Sequence, residues 1–334
     1  MGRLIRFVLF MLGMLLVFAL FQRIGLAPVL SAIARLSWTL PLLILFPACL
    51  MVTCDGLGWR YAFRRDRVPF GILVRARLAG EAVNVTTPLA SLGGEPVKAW
   101  LIRAYAPLSE SVPSVVVAKT TLTIGQALFV LMGLLAAVQT LPAGSELLRG
   151  MRWMVSVICL AVAGFVTVQG LGVAGAIGRV LERVGVTHTG GPAGVLLPRI
   201  DRELAGFYRR APGRLALSVL WHLAGWSVGM LEGWLIMRAL NLPVSLATSL
   251  VVESVEASIA FAAFMIPARA GVQEAGHVAA FVALGLGAPV GLAFTVVRRL
   301  RQAVWAGLGY VALASLQGTA GYPPPAPAIL EREA

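Results

Sequence analysis

Pro88-Leu-Ala-Ser-Leu-Gly-Gly-Glu95-Pro-Val-Lys98 interrupts a chain otherwise dominated by apolar runs, and about half the chain later Pro267-Ala-Arg-Ala-Gly271-Val-Gln-Glu274 interrupts it again. In each stretch a proline stands seven residues before a glutamate, with glycine between them and hydrophobic segments on both sides. Proline removes a backbone donor and glycine admits positive φ or close backbone approach, so each stretch reads as a break between helices. Pro96, after Gly93-Gly94, suits the first turn of a helix that restarts there.

The surroundings of these breaks decide the fold class. The 334 residues are 58% hydrophobic and 13% charged, with a mean hydropathy of +0.85. A soluble domain carries about 25% charged residues, and the apolar runs here approach the ~20 residues that cross a bilayer as a helix. A transmembrane barrel would instead show short alternating segments. The expectation is an all-α, polytopic helical bundle with two pairs of re-entrant helices. It forms one transmembrane domain over 1–320, in two pseudo-repeated halves (about 1–150 and 151–320), before a Pro-rich disordered tail at 321–334.

Spans are expected at roughly 4–22, 38–58, 112–140, 152–172 and 215–239, with 289–318 as one long span or two short helices. The first has arginines before its apolar core and no small-x-small cleavage pattern, so it reads as an uncleaved span entering from the cytoplasm. A short amphipathic piece at 26–36 follows it. Within a second basic segment at 176–214, residues 200–210 suit a helix lying in the interface.

The net charge is +13. Its arginines concentrate at 60–67 and 176–214, as the positive-inside rule asks of cytoplasmic loops. The same arginines suit anionic lipid headgroups. No soluble module remains to present a basic face to nucleic acid. Cys49, Cys54 and Cys159 lack metal-like spacing and read as small buried hydrophobes. His222, beside Trp221, reads as an anchor near the membrane interface. No cofactor is expected, and no metal or catalytic set is recognisable: Glu274-x-x-His277 is half of a di-iron pattern whose second half is absent.

Residues 70–106 are too polar for an ordinary span and too apolar for a solvated loop. They carry Glu81, Asn84, Thr87, Glu95 and Lys98; the second interruption has Glu253 and Glu256 before it and Arg269, Gln273 and Glu274 within it, with Arg298 beyond. A charge at the bilayer centre costs about 2.5–3.5 kcal/mol on insertion scales, so these side chains are expected to face one another or water. Lys98 stands three residues after Glu95, on the same helical face. Helices beginning at Gly94 and Gly271 would aim partial positive charge at an anion. Paired breaks in two halves are a sequence-level pointer to a transporter site.

Asn84-Val-Thr-Thr-Pro-Leu-Ala-Ser-Leu-Gly-Gly-Glu-Pro-Val-Lys-Ala99 and Pro267-Ala-Arg-Ala-Gly-Val-Gln-Glu-Ala-Gly276 resemble the two signatures of the lysylphosphatidylglycerol synthase transmembrane family, also called flippase-like membrane proteins. Val251-Val-Glu-Ser254 and Val297-Arg-Arg-Leu-Arg-Gln302 resemble its hopanoid-associated branch. The resemblance implies a bacterial inner-membrane protein with re-entrant helices in two related halves that moves a phospholipid or hopanoid-like lipid between leaflets. It also implies that the soluble aminoacyltransferase half of the named synthases is missing. The amino terminus is expected in the cytoplasm from the arginines before the first span. Where the family's second motif reads Pro-Gly-x-x-Gly, this chain has Ala268 and Arg269, an added cation that favours an anionic headgroup.

The leading expectation is therefore a lipid flippase whose headgroup site comprises Glu81, Asn84, Thr87, Gly93, Gly94, Glu95, Lys98, Glu253, Glu256, Arg269, Gly271, Gln273, Glu274 and Arg298. Two alternatives stand behind it. One is an intramembrane lipid transferase with Glu95 or Glu274 as general base; the other is a scaffold that recruits lipid-synthesis enzymes through the basic loops. Membrane lipids are the expected partners, with a homo-oligomer or lipid-synthesis enzymes as further candidates.

Overall fold

The computed structural model describes residues 11, 15, 17–20, 22–34, 39–66, 68–87, 93–170 and 192–319. Most of the expected first span, Pro88, part of the basic segment at 176–214 and the tail lie outside them. The regular elements among the described residues are all helical. In chain order they are α1 (Leu26–Ala34), α2 (Thr39–Tyr61), α3 (Phe70–Thr86), α4 (Gly94–Leu101), α5 (Leu108–Thr140) and α6 (Glu146–Gly170). Then come α7 (Pro192–Arg210), α8 (Pro212–Ala239), α9 (Leu246–Ala262), a 3-10 turn (Pro267–Arg269), α10 (Val272–Ala283) and α11 (Ala288–Thr319).

Helices α2, α5, α6 and α8 are long and apolar enough to cross a membrane; at 1.5 Å per residue, the 23 residues of α2 reach ~35 Å. Their outer faces are strongly apolar: Leu42, Phe46, Leu135, Leu160 and Leu220 are all exposed, as hydrocarbon contact allows and water would not. The 289–318 alternative resolves as one unbroken 32-residue helix, α11, which keeps Arg298, Arg299 and Arg301 inside it.

Local chemistry sets the helix ends. Thr87 closes α3 in an extended conformation (φ −98, ψ 140), the geometry that a following proline imposes. Ser245 caps α9 by accepting a hydrogen bond from the Thr248 amide at 3.1 Å. Gly271, at φ +77, turns the chain into α10. At Gly94 the constraint is contact: a β-carbon there would lie 1.9 Å from the Gly80 carbonyl oxygen, so α4 approaches α3 only because neither helix has a side chain at that point.

The tertiary packing is reciprocal. Helix α2 lies along α8 in antiparallel register, marked by hydrogen bonds from Arg214 to the Arg60 carbonyl, from Ser218 to the Gly58 carbonyl, and between His222 and Asp55. Helix α3 packs on α11, while α9 packs on α5. Each helix that precedes a break thus rests on the long helix that follows the other break.

Three expectations change. Cys54 is buried, but Cys49 and Cys159 are exposed, on outward faces of α2 and α6 where a thiol meets lipid as readily as protein. His222 is buried between α2 and α8, facing Asp55, because Gly58 leaves room for its ring; it is not an interfacial anchor. The 200–210 segment is a helix, yet Ile200, Leu204 and Phe207 turn into a protein core with Trp59, Phe63 and Ile102. Its apolar face is thereby covered by protein instead of lipid.

Candidate functional site

Three apolar helices whose other charges lie towards their ends carry one charge well inside: Asp55 in α2, Lys119 in α5 and Glu232 in α8. None can stay unpaired at that depth at low cost, and each meets a partner from a distant part of the chain. Asp55 accepts from Arg77 at 2.8 Å and lies 3.3 Å from His222. Glu232 pairs with Arg298 at 2.7 Å and with Arg301 at 3.1 Å, while Glu253 takes the other arm of Arg298 at 2.7 Å. Arg298 is the centre of this buried cluster; its planar fork can hold two carboxylates at once.

These pairs wall a cavity of about 270 Å3 lined by Asp55, Arg77, Glu81, Asn84, Lys119, Gln126, Trp226, Glu256, Arg269, Arg298, Arg301 and Gln302. A second space of about 180 Å3, between α2, α3 and α11, shares most of these charged residues and adds Gln273 and Trp305. Five cations face the larger space against three carboxylates, a formal excess of two positive charges. Glu232 and Glu253, which balance Arg298 and Arg301, sit behind the wall. The site is near neutral as a network and positive where it is open.

Of the expected residues, Glu81, Asn84, Glu256, Arg269 and Arg298 come together at this cavity, and Gln273 lines the second space. Glu81 pairs with Arg77 at 2.8 Å, and Glu256 pairs with Arg269 at 2.8 Å. Glu253 is one layer back. Glu95 and Lys98 pair at 2.9 Å beside a small side pocket shared with Asp55, Arg77 and Lys119. Thr87 is turned away, its hydroxyl donating to the Val83 carbonyl at 2.6 Å.

The break glycines do not present open anion sites. The Gly94 amide donates to Asn84 Oδ1 at 2.7 Å, and the Gly271 amide donates to Glu274 Oε2 at 2.8 Å. Gly93 is the residue before α4 and makes no side-chain cap of its own. A helix start needs partners for its first donors; here the protein's own side chains supply one at each. The second oxygen of Glu274 accepts from Arg299 at 2.8 Å, so this carboxylate is fully engaged as a fastener.

Asp55, Arg77, Lys119, Gln126, Trp226, Arg301 and Gln302 complete the cavity's polar lining and are not among the site residues that the sequence suggests. The signal for Lys119 and Asp55 was available: one charge in an otherwise apolar helix marks a functional or paired position.

The profile of the Lysylphosphatidylglycerol synthase TM region matches residues 3–309. The chain belongs to this family. Membership makes it a multi-pass membrane protein of a lipid-related family, in agreement with its helical architecture. No curated protein and no solved structure matches the chain.

Proposed function

We propose that this member of the lysylphosphatidylglycerol synthase TM region family carries the headgroup of a membrane lipid through the charged cavity while the lipid's tail stays in the hydrocarbon. The observation that carries the reading is the wall of five cations and three carboxylates, drawn from helices on both sides of the antiparallel α2–α8 pair. A polar path at membrane depth has no structural purpose that an apolar core would not serve more cheaply. The excess of cations favours an anionic headgroup, such as one bearing a phosphate diester.

The reciprocal packing supports an arrangement of two inverted halves, α2–α5 and α8–α11, with re-entrant pairs at α3–α4 and α9–α10. The basic surface supports an orientation: Arg64 pairs with Glu203 of α7 and Arg214 with Asp66, which gathers the two arginine-rich segments at one end of the bundle. By the positive-inside rule that end faces the cytoplasm of a bacterial inner membrane.

The test is headgroup accessibility in proteoliposomes carrying fluorescent phosphatidylglycerol and a membrane-impermeant quencher. The protein should let the quencher bleach the inner-leaflet pool; equal loss with and without protein would reject the reading.

A further inference from the structure

An apolar cleft of about 410 Å3 opens between α5, α6 and α9. Phe165 and Val162 of α6 and Phe261 of α9 form its sides, and Phe165 is 45% exposed at its mouth. The α5 side carries the polar residues Lys119, Thr120, Thr123 and Gln126, of which the Thr123 hydroxyl donates back to the Lys119 carbonyl at 2.9 Å, which hides its polarity within the helix.

The cleft adjoins the charged cavity. Lys119, Gln126 and Ala260 line both spaces. Gln126 is tied down by donating to the Ala257 carbonyl at 2.7 Å. Lys119 differs from the other four cations of the cavity: its carboxylate partner Glu95 lies 3.6 Å away, whereas theirs lie at 3.1 Å or less. Its ammonium thus has donors to give to a ligand, and it also borders the Glu95–Lys98 pocket. A cation at the meeting point of a polar chamber and a hydrocarbon-lined slot matches one chemistry, that of an anionic amphiphile lying across the junction.

We propose that the α5–α6–α9 cleft is the lateral portal that holds the hydrocarbon chain of such an amphiphile, with Lys119 contacting its anionic headgroup at the threshold. This rests on the transport reading above and adds the route of the tail. The protein would act with the headgroup inside and the chain projecting sideways between α6 and α9 into the bilayer.

The probe is phosphatidylglycerol with a diazirine at the end of one acyl chain, reconstituted with the whole protein, illuminated and mapped by mass spectrometry. Adducts at Phe165, Val162 and Phe261 should exceed those at Leu160 and Trp153 on the outward face of α6 by about tenfold. The same chain on phosphatidylcholine should lose that excess, and Lys119→Gln should remove it for phosphatidylglycerol while leaving the Leu160 adducts unchanged. Equal labelling of cleft and outer face, or equal labelling by the two headgroups in the wild-type protein, would overturn the portal, and neither result needs a variant to fold. If translocation in the quencher assay persists without cleft labelling, the portal is wrong and the transport reading stands; if translocation is absent as well, both fall.

Discussion

The two breaks share a proline, glycines and a glutamate at one spacing, yet their glutamates do different work. At the second, Glu274 is consumed: one oxygen caps the Gly271 amide and the other holds the Arg299 side chain. At the first, Asn84 takes over the capping of Gly94 through its Oδ1, and Glu95 accepts from Lys98 at 2.9 Å and from the Asn84 side-chain amide at 3.4 Å, with Lys119 at 3.6 Å. Lys119 stands on α5 and Arg299 on α11, the long helices that follow the respective breaks. A guanidinium fixed in a fork holds geometry, whereas lysine is a point charge on a flexible stem that can change partners. The second break is therefore built as a joint, and on the proposed transport reading the first keeps a charge that can respond to a ligand.

The largest effect bears on what both breaks rest against. Arg298→Met would strand Glu253 in the interior and leave Glu232 to Arg301 alone, and removing one side of a buried ion pair costs about 3–5 kcal/mol. Thermal unfolding in detergent should show it as a failure to yield stable protein or a large drop in Tm, and a Tm equal to wild type would mean the cluster is hydrated.

The comparison itself is broken or sharpened by two matched variants. Glu274→Ala removes a cap and a fastening charge and should destabilise the protein by about 2 kcal/mol, the upper part of the range for lost caps. Quencher-detected transport per folded molecule should stay near wild type. Glu95→Gln keeps a side chain of the same size and should cost at most about 1 kcal/mol of stability, while transport falls about tenfold. If the two variants exchanged these phenotypes, the assignment of joint and responsive charge would be reversed.

The smallest effect lies outside the bilayer. Partial burial pushes the Asp66 carboxyl up, but hydrogen bonds from Arg214 and Arg60 outweigh it and hold the group below its ordinary value of 3.8. A lowered folded value means stability that is present above the unfolded value and lost as pH falls through the folded one. Hydrogen exchange in the 62–69 loop should rise as pH drops below about 4, after correction for intrinsic rates, and Asp66→Asn should abolish that dependence.

Much of the site was legible because intramembrane polarity is rare and each instance stands out. Glu81, Glu256 and Arg298 were identifiable from their charge in apolar surroundings, and they do meet. What misled was the local pattern at the glycines: Gly94 and Gly271 look like open helix starts, but one partner is Asn84, ten residues earlier, and the other is Glu274 itself. Whether a side chain caps its neighbour or faces a cavity depends on rotamer and packing that spacing does not encode.

The amino-acid sequence by itself determined that this is a helical membrane protein and where its helices break, because hydropathy, run length, proline and glycine act over a few residues. Only the tertiary structure decided which charges share a chamber. Arg298 reaches Glu232 across 66 positions and His222 reaches Asp55 across 167, and pairings at such separation follow from the antiparallel docking of α2 on α8 and the reciprocal packing of α3 and α9. The physical reason is that a charge at membrane depth must find a partner, but many partners would satisfy it. Packing of the whole bundle selects one.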